Sequence, residues 1–439
     1  MPSTYIQRTP SGGNRKKWTW SGWIKLSQPS TADRYLWSGY SAANNTGYLQ
    51  AYFHTDSQLT IGAWNVNYLN TTRVFRDVNG WYHIVIVLDT AQATAANRLK
   101  LYVNGVEETV FDTDNRSSIS QDSDMGYNSN GIHTIGGYQS SGSANAGFDG
   151  YMSHVHFTDG YAYTPSAFGE TDSATGQWKI KTNPSVSYGT TGYWIFKNDA
   201  GVSDQSPNSN NWTATGLLRA VEECPSNIFD TFNRLSTVAS DPTLERGNTK
   251  CTSTTGNHWR SANCSLGMSS GKWYFETKFG TISGGNYCRA GIASENLVGT
   301  TTSNKFQGNN AYGINWDGSK LVNSTLTGSY TTVATGDVFG FAVDLDNNYI
   351  YASKNGSWID SGDPTSGSSG TGALSAIQSG KTYFISASVY QSTVELNAGN
   401  GLFGSIAITS EGTNASNIGK FEYDVPAGYT ALSTKGLNL

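Results

Sequence analysis

The amino-acid sequence predicts an all-β chain built as two antiparallel β-sandwiches in tandem. Three observations carry this expectation. Aromatic and β-branched residues are abundant while long runs of helix formers are absent. Apolar residues recur with period two between turn-forming pairs. The same pattern appears in both halves of the chain, on either side of a polar, irregular stretch.

Length sets the domain count. At 439 residues the chain exceeds what one hydrophobic core serves, so two domains are expected. Aromatic residues reach 13%, almost level with the 14% that are charged, and 50 glycines stand against 10 prolines. Such a balance belongs to strands joined by many turns.

The first element is "RKKWTWSGWIK", Arg15–Lys25, with Trp18, Trp20 and Trp23 inside six residues. Alternate residues of a strand share a face. Trp18, Trp20, Gly22 and Ile24 make an apolar face directed at the inter-sheet core. Thr19, Ser21, Trp23 and Lys25 make the other. Each core tryptophan buries on the order of 200 Å². At about 25 cal/mol/Å² that contributes up to about 5 kcal/mol, an upper bound because the reference chain is fully extended. Trp23 has three destinations: a platform for a sugar ring, packing under a loop or subunit, or return to the core through a bulge at Ser21-Gly22.

Next comes "GWYHIVIVLD", Gly80–Asp89, an apolar run flanked by turn residues. In "RLKLYVNGVEETVF", Arg98–Phe111, Leu99, Leu101 and Val103 alternate with Lys100 and Tyr102. Asn104-Gly105 then supplies the positive φ angles of a two-residue type I′ turn. "FDGYMSHVHF", Phe148–Phe157, alternates again. In the second half, "GKWYFETKF" (Gly271–Phe279) reads as a strand. "GDVFGFAVDLDNNYIYASKNGSWID" (Gly336–Asp360) reads as two strands joined near Asp346–Asn348, and "KTYFISASVYQSTVELNAGN" (Lys381–Asn400) as another pair. No fixed period links the halves. The polar stretch Ser203–Pro242 holds three of the ten prolines. It sets the expected boundaries: a first domain over 1–217, a linker over 218–240 and a second domain over 241–439.

Net charge is −5 and the only basic cluster is Asn14–Lys17, so no stripe for nucleic acid is present. Neutral partners, sugars or proteins, are expected. The N-terminal "MPSTYIQRTPSGGNRKK" lacks an apolar h-region, so no signal peptide is expected. The longest aliphatic run, Ile84–Leu88, is too short to cross a bilayer, and membrane insertion is not expected. Cys224, Cys251, Cys264 and Cys288 form no C-x-x-C pair. A Cys251–Cys264 bridge is open, with reduced thiols preferred. The sequons at Asn70 and Asn323 read as accidents of an Asn/Thr-rich composition.

The ordered strings "WTWSGWIKLS", "GWYHIVIVLD", "LKLYVNGVE", "HTIGGY" and "FDGYMSHVHFTDG" resemble the laminin-G/concanavalin A-like jelly roll. "FTDGYAYTPSAFGETDSATGQWKIK" and "YGTTGYWIFKNDAGVSDQSPNSNNWTATG" resemble a module of tail-fibre and other virion proteins of marine bacteriophages. Its D-x-S-x-x-x-N-x-W closing segment corresponds to Asp204, Ser206, Asn210 and Trp212. In the second half "GKWYFETKF", "RAGIAS", "AYGINWDG", "GDVFGFAVDLDNNYIYASKNGSW" and "VELNAGN" resemble a SPRY domain, and "FEYDVPAGYTAL" its phage version. The resemblances cover nearly the whole chain. They imply a virion surface protein, made in the host cytoplasm and serving adhesion or assembly. The chain is expected to start directly in the jelly roll. Homo-oligomerisation, with a trimer as first guess, is implied by the class alone.

Sugars present flat C–H faces and many hydroxyls, so aromatics beside polar loop residues are the candidate ligand contacts. Besides Trp23 these are Trp37, Tyr40, Trp64 and Tyr138 in the first domain. In the second they are Trp316-Asp317 in "INWDG" and Trp358 in "NGSW". The SPRY resemblance implies partner binding through such loops. "DTDNRSSISQDSD" reads as a solvated acidic loop. Its Asp112, Asp114, Asp122 and Asp124 are a candidate calcium set, a ligand the laminin-G resemblance also implies. No other cofactor is expected. His154 and His156, two apart on a strand, share a face and read as a surface pair on the outer sheet face or as hydrogen-bonding partners of a neighbouring subunit; with His133 as a third ligand they would instead begin a zinc site.

Catalysis is not expected. Glycoside hydrolysis needs two carboxylates about 5–10 Å apart, and the E-x-D-x-x-E strand of jelly-roll glucanases does not occur. Ser269 in "GMSSG" lacks the strand–elbow–helix setting of a nucleophile. The function expected is therefore a virion surface adhesin of a tail fibre or appendage, binding host glycans or host proteins, or neighbouring virion proteins. A purely structural capsid decoration protein is the alternative, and a polysaccharide depolymerase the third reading.

Overall fold

The long alternating runs are β-strands in the computed structural model, which describes residues 4–30, 32–140, 143–145, 147–197, 202–236, 242–254, 258–282, 284–297, 306, 308–328 and 330–438. They gather into two units, Met1–Ala220 and Val221–Leu439.

The first unit is a sandwich of two antiparallel sheets. One is ordered Tyr193–Ile195, Gly150–Asp159, Lys17–Leu26, Tyr82–Asp89, Leu99–Val103, Val106–Glu107. The other runs Phe111–Asp114, Asn67–Val74, Gln58–Gly62, Tyr48–Phe53, Arg34–Tyr40, Ile132–Ile135, Tyr5–Arg8, Thr213–Thr215. Trp18 and Trp20 point into the shared core as alternation requires, where Trp18 meets Trp37 edge-on at 6.0 Å between ring centroids. The Trp20 ring lies across Gly22, where an added Cβ would come within 2.6 Å of it. Asn104 and Gly105 adopt φ of 48° and 82°, the expected type I′ pair.

Lys17–Leu26 pairs with Tyr82–Asp89 without interruption, so no bulge returns Trp23 to the core. The irregularity sits on the partner strand, between Ser153 and His156, with His154 at φ 47°. The shift breaks the simple alternation expected for His154 and His156. The predicted closing segment is a latch. Asp204 accepts from the backbone N–H groups of Trp194, Ser206 and Asn210. Trp212 packs edge-on against Tyr193.

The second unit pairs a larger sheet with a six-stranded one. The larger is ordered Thr243–Glu245, Lys250–Thr252, Thr393–Asn397, Lys272–Phe279, Val338–Asp344, Tyr349–Lys354, Ser357–Trp358. The smaller runs Arg260–Asn263, Tyr383–Tyr390, Tyr287–Ser294, Ala311–Asn315, Lys320–Val322, Thr325–Thr327. The two strands of Lys381–Asn400 join different sheets, so the turn between them crosses from one layer to the other.

The stretch expected as a linker over 218–240 is structured from 222 to 236. Glu222 N–H donates to Asn400, Phe229 bridges Ser433 and Phe232 bridges Cys264. Backbone ties and the buried side chains of Phe229 and Phe232 hold it against the second unit's core. Positions 237–240 lie outside the described residues. Cys224, Cys251, Cys264 and Cys288 are unpaired, the last three buried. Among the described residues no helix is long and apolar enough to cross a membrane.

Candidate functional site

Trp23 is not a ligand platform. It lies on the polar face of its strand, but a second layer formed by residues beyond Asp159 covers that face. Its ring stacks on His83 at 4.8 Å, and the Trp178 indole meets the edge of His83 with its centroid 6.0 Å away. Trp178 sits where Cβ atoms on Gly105 and Gly169 would otherwise lie. His156 is buried alongside, its Nδ1 2.9 Å from the Tyr188 hydroxyl. Burial pushes His83 down to about 3 and His154 to about 4, and holds His156 far below the ordinary imidazole range. His133 belongs to the opposite sheet, where its Nε2 accepts from Asn128 N–H at 2.8 Å. The three histidines are therefore not assembled as a zinc site, and His154 and His156 are not a surface pair either, since the covering layer buries both.

Trp37 was expected on a loop. It is fully buried in the strand Arg34–Tyr40, packed on Trp18, Trp20 and Tyr127.

Tyr40 and Trp64, far apart in sequence, do come together. Tyr40 closes a hairpin opposite Tyr48. Asn44 shapes its turn by accepting from the N–H groups of Thr46 and Gly47 at 3.2 and 2.7 Å. The next turn along the same sheet edge carries Trp64, held by Ala63 N–H to Val66 at 2.7 Å. The three ring centroids lie 5.7–6.2 Å apart. Trp64 is 38% exposed, an unusual position for so large an apolar surface. Asn65 beside it is tied to Asn45 through its backbone N–H at 2.9 Å. Exposed Asn65 and Asn67 leave amide groups at the rim. An aromatic face ringed by carboxamides matches the C–H face and hydroxyls of a sugar. Tyr138 joins a different stack, 4.4 Å from Tyr35, which lies 4.9 Å from Tyr52.

The four acids of the calcium candidate do not converge. Asp112 and Asp114 lie in the edge strand Phe111–Asp114, not in a loop. Asp112 accepts from Gln58. Asp114 is gripped by Arg116 and lowered by that hydrogen bond. Asp124 pairs with Arg15 at 3.6 Å, and Asp122 is held through its backbone N–H to Thr90. Among the described residues no group of three His, Cys, Asp or Glu is placed to hold a metal.

In the second unit Trp316 stacks 4.5 Å from Tyr287. Asp317 shapes its own turn, accepting from Asn315 Nδ2, Ser319 N–H and Ser319 Oγ–H. Trp358 is half-buried against the layer formed by Phe421, Val425 and Tyr429. Sequence reasoning passed over Tyr48, Trp259, Tyr287 and Tyr390. Their signal was weak: aromatic residues at or beside the ends of strands. The carboxyl pushed up to about 7 by burial, Glu276, is fully buried. It accepts from Glu422 N–H, Tyr423 N–H and Asn397 Nδ2, and so anchors the tail out of a substrate's reach.

Residues 3–167 match the family model described as the concanavalin A-like lectin/glucanases superfamily, and the N-terminal domain is of that kind. Similar solved structures include the heptameric SAP-like pentraxin of Limulus polyphemus, at 19% identity over 37% of this chain and 72% of that one, with a TM-score of 0.28. The SPRY domain of human HERC1 is 14% identical over 38% of this chain and 96% of that one, with a TM-score of 0.30. A Bacteroides ovatus protein described as a candidate carbohydrate binder is 18% identical, covering 48% of this chain and 56% of that one, with a TM-score of 0.33. No curated protein shows a significant match.

Proposed function

We propose that the chain is a non-catalytic carbohydrate-binding protein whose first unit holds a sugar ring against Trp64 and Tyr40. The convergence of Tyr40, Tyr48 and Trp64 at one end of the sheet carries this reading. The concanavalin A-like match of residues 3–167 supports it. The resemblance of "FTDGYAYTPSAFGETDSATGQWKIK" to phage virion modules supports a place on a virion surface, as an adhesin of a tail fibre or appendage.

The test is retention of the full chain on host cells and on a panel of immobilised glycans. Trp64→Ala is expected to weaken retention about tenfold, in line with the loss of one stacked ring, with an unchanged unfolding midpoint. Retention unaffected by Trp64→Ala would remove the rim from the site. Binding to empty capsids with none to cells would favour a decoration protein. Release of reducing sugar from host polysaccharide would overturn the non-catalytic reading.

A further inference from the structure

The second unit carries an aromatic surface of a different chemistry. Tyr287 is its centre. Trp316 lies 4.5 Å away at 34°, Tyr390 5.6 Å away at 37°, and Trp259 6.3 Å away at 28°. All four rings are half-buried. Strand register explains the gathering. Tyr287 and Tyr390 are directly opposed, and Arg289 is opposed by Asn315, one residue before Trp316.

The small angles between Tyr287 and its neighbours make a tiled platform. A cage for a quaternary ammonium needs walls that face each other across a cavity, and a cation is further disfavoured here by Arg289. Its guanidinium lies over the Trp259 ring at 4.3 Å. Its Nε–H donates to Asn315 Oδ1 at 2.6 Å, which fixes the plane. Among the described residues neither Nη group has a hydrogen-bond partner. Burial draws Arg289 down to about 10, which leaves it charged at neutral pH. The negative charge of Asp317 acts on Arg289 and favours its charged form, and the Asp317 carboxylate accepts from Asn315 and Ser319.

We infer that this platform binds an acidic saccharide, a sugar ring stacking on Tyr287 and Trp316 while its carboxylate pairs with the open Nη edge of Arg289. A planar fork with two free donors is the geometry that takes a carboxylate in bidentate fashion. The flat rings beside it supply the stacking surface that a pyranose face requires. The site is separate from the Tyr40–Trp64 rim and stands or falls independently of it.

The test uses the full chain with oligogalacturonate, its carboxyl-reduced neutral counterpart, and a short peptide ending in aspartate, each titrated calorimetrically. Oligogalacturonate is expected to bind, and the reduced oligomer to bind at least about tenfold more weakly, the loss of a charge-assisted hydrogen bond. Arg289→Gln and Trp316→Ala should each weaken oligogalacturonate to a similar degree. Arg289→Lys, which keeps charge and bulk, should recover only part, and Trp64→Ala should leave this binding unchanged. Equal affinity for the acidic and neutral oligomers, binding of the peptide alone, or no binding of oligogalacturonate would overturn the inference. So would loss with Trp64→Ala and none with Arg289→Gln.

Discussion

The indole Nε1–H of Trp178 donates to Nδ1 of His83 at 2.9 Å. That single bond fixes the tautomer. Since Nδ1 accepts, the imidazole proton sits on Nε2, 2.8 Å from Ser21 Oγ. A buried histidine with one indole on its face and a second bonded at its edge, both nitrogens engaged, is a structural pin between the sheet and the layer over it. Trp178→Phe keeps the Trp23–His83 stack and an aromatic ring at the edge, and leaves Nδ1 without its donor. It should cost about 1–3 kcal/mol, seen as a lower urea midpoint for the first unit. An unchanged midpoint would mean that the bond contributes nothing net.

Acid should destabilise the first unit well above the range where carboxylates titrate. In the unfolded chain histidines titrate near about 6.5. Burial lowers His83 to about 3, and His133 and His154 to about 4. The neutral rings therefore contribute their full stability above about 6.5, and the contribution is lost as pH falls toward the folded values. The thermal midpoint of the first unit should drop steadily from pH 7 to about 4. Histidine NMR should show His83 still as the Nε2–H tautomer over most of that span. A flat midpoint would contradict the burial of these rings.

Glu276 has the opposite sign. Burial raises it from 4.5 to about 7. Its favourable contribution is complete below about 4.5 and is lost as pH rises through about 7. The second unit should lose stability between pH 5 and about 8. Glu276→Gln should flatten that slope while lowering the midpoint, because the amide nitrogen would face N–H donors. An unaltered slope in the variant would assign the dependence to another group.

Gly22→Ala tests the packing of Trp20. A Cβ there lies 2.6 Å from the ring, so the indole must move inside a filled core. A loss of about 1–3 kcal/mol is expected, read from denaturant unfolding. A neutral result would show a core able to yield.

Thiol reagents should separate the cysteines. Cys251, Cys264 and Cys288 are buried, with burial pushing Cys288 up to about 12 and the other two higher. Native protein should react at Cys224 alone and denatured protein at every cysteine, as mass spectrometry would show. Rapid labelling of Cys251 in native protein would contradict the fold around it.

Alternation and turn chemistry made the sandwiches legible, because both are local. Asn104-Gly105 and the inward tryptophans needed only neighbouring residues to be read. The fate of Trp23 depended on Trp178, whose partner His83 lies 95 positions away, and no local pattern announces such a cover. The bulge at His154 carries no glycine to mark it. Tyr40 and Trp64 were each readable as turn aromatics, but their meeting is a property of strand order. Tyr287, Tyr390 and Trp259 escaped notice because strand-end aromatics look like core until register places them side by side. The acids failed as a set because Arg116 and Arg15 each claim one.

The strand Tyr5–Arg8 pairs antiparallel with Thr213–Thr215, Tyr5 opposite Thr215, and Leu217 N–H reaches Thr4 Oγ1 at 3.1 Å. The points where the chain enters and leaves the first unit thus lie side by side across one short ladder. Tension drawn between them would open that ladder one rung at a time, like a zip, instead of loading all rungs in shear. If the protein tethers one body to another under flow, mechanical yielding starts at this seam.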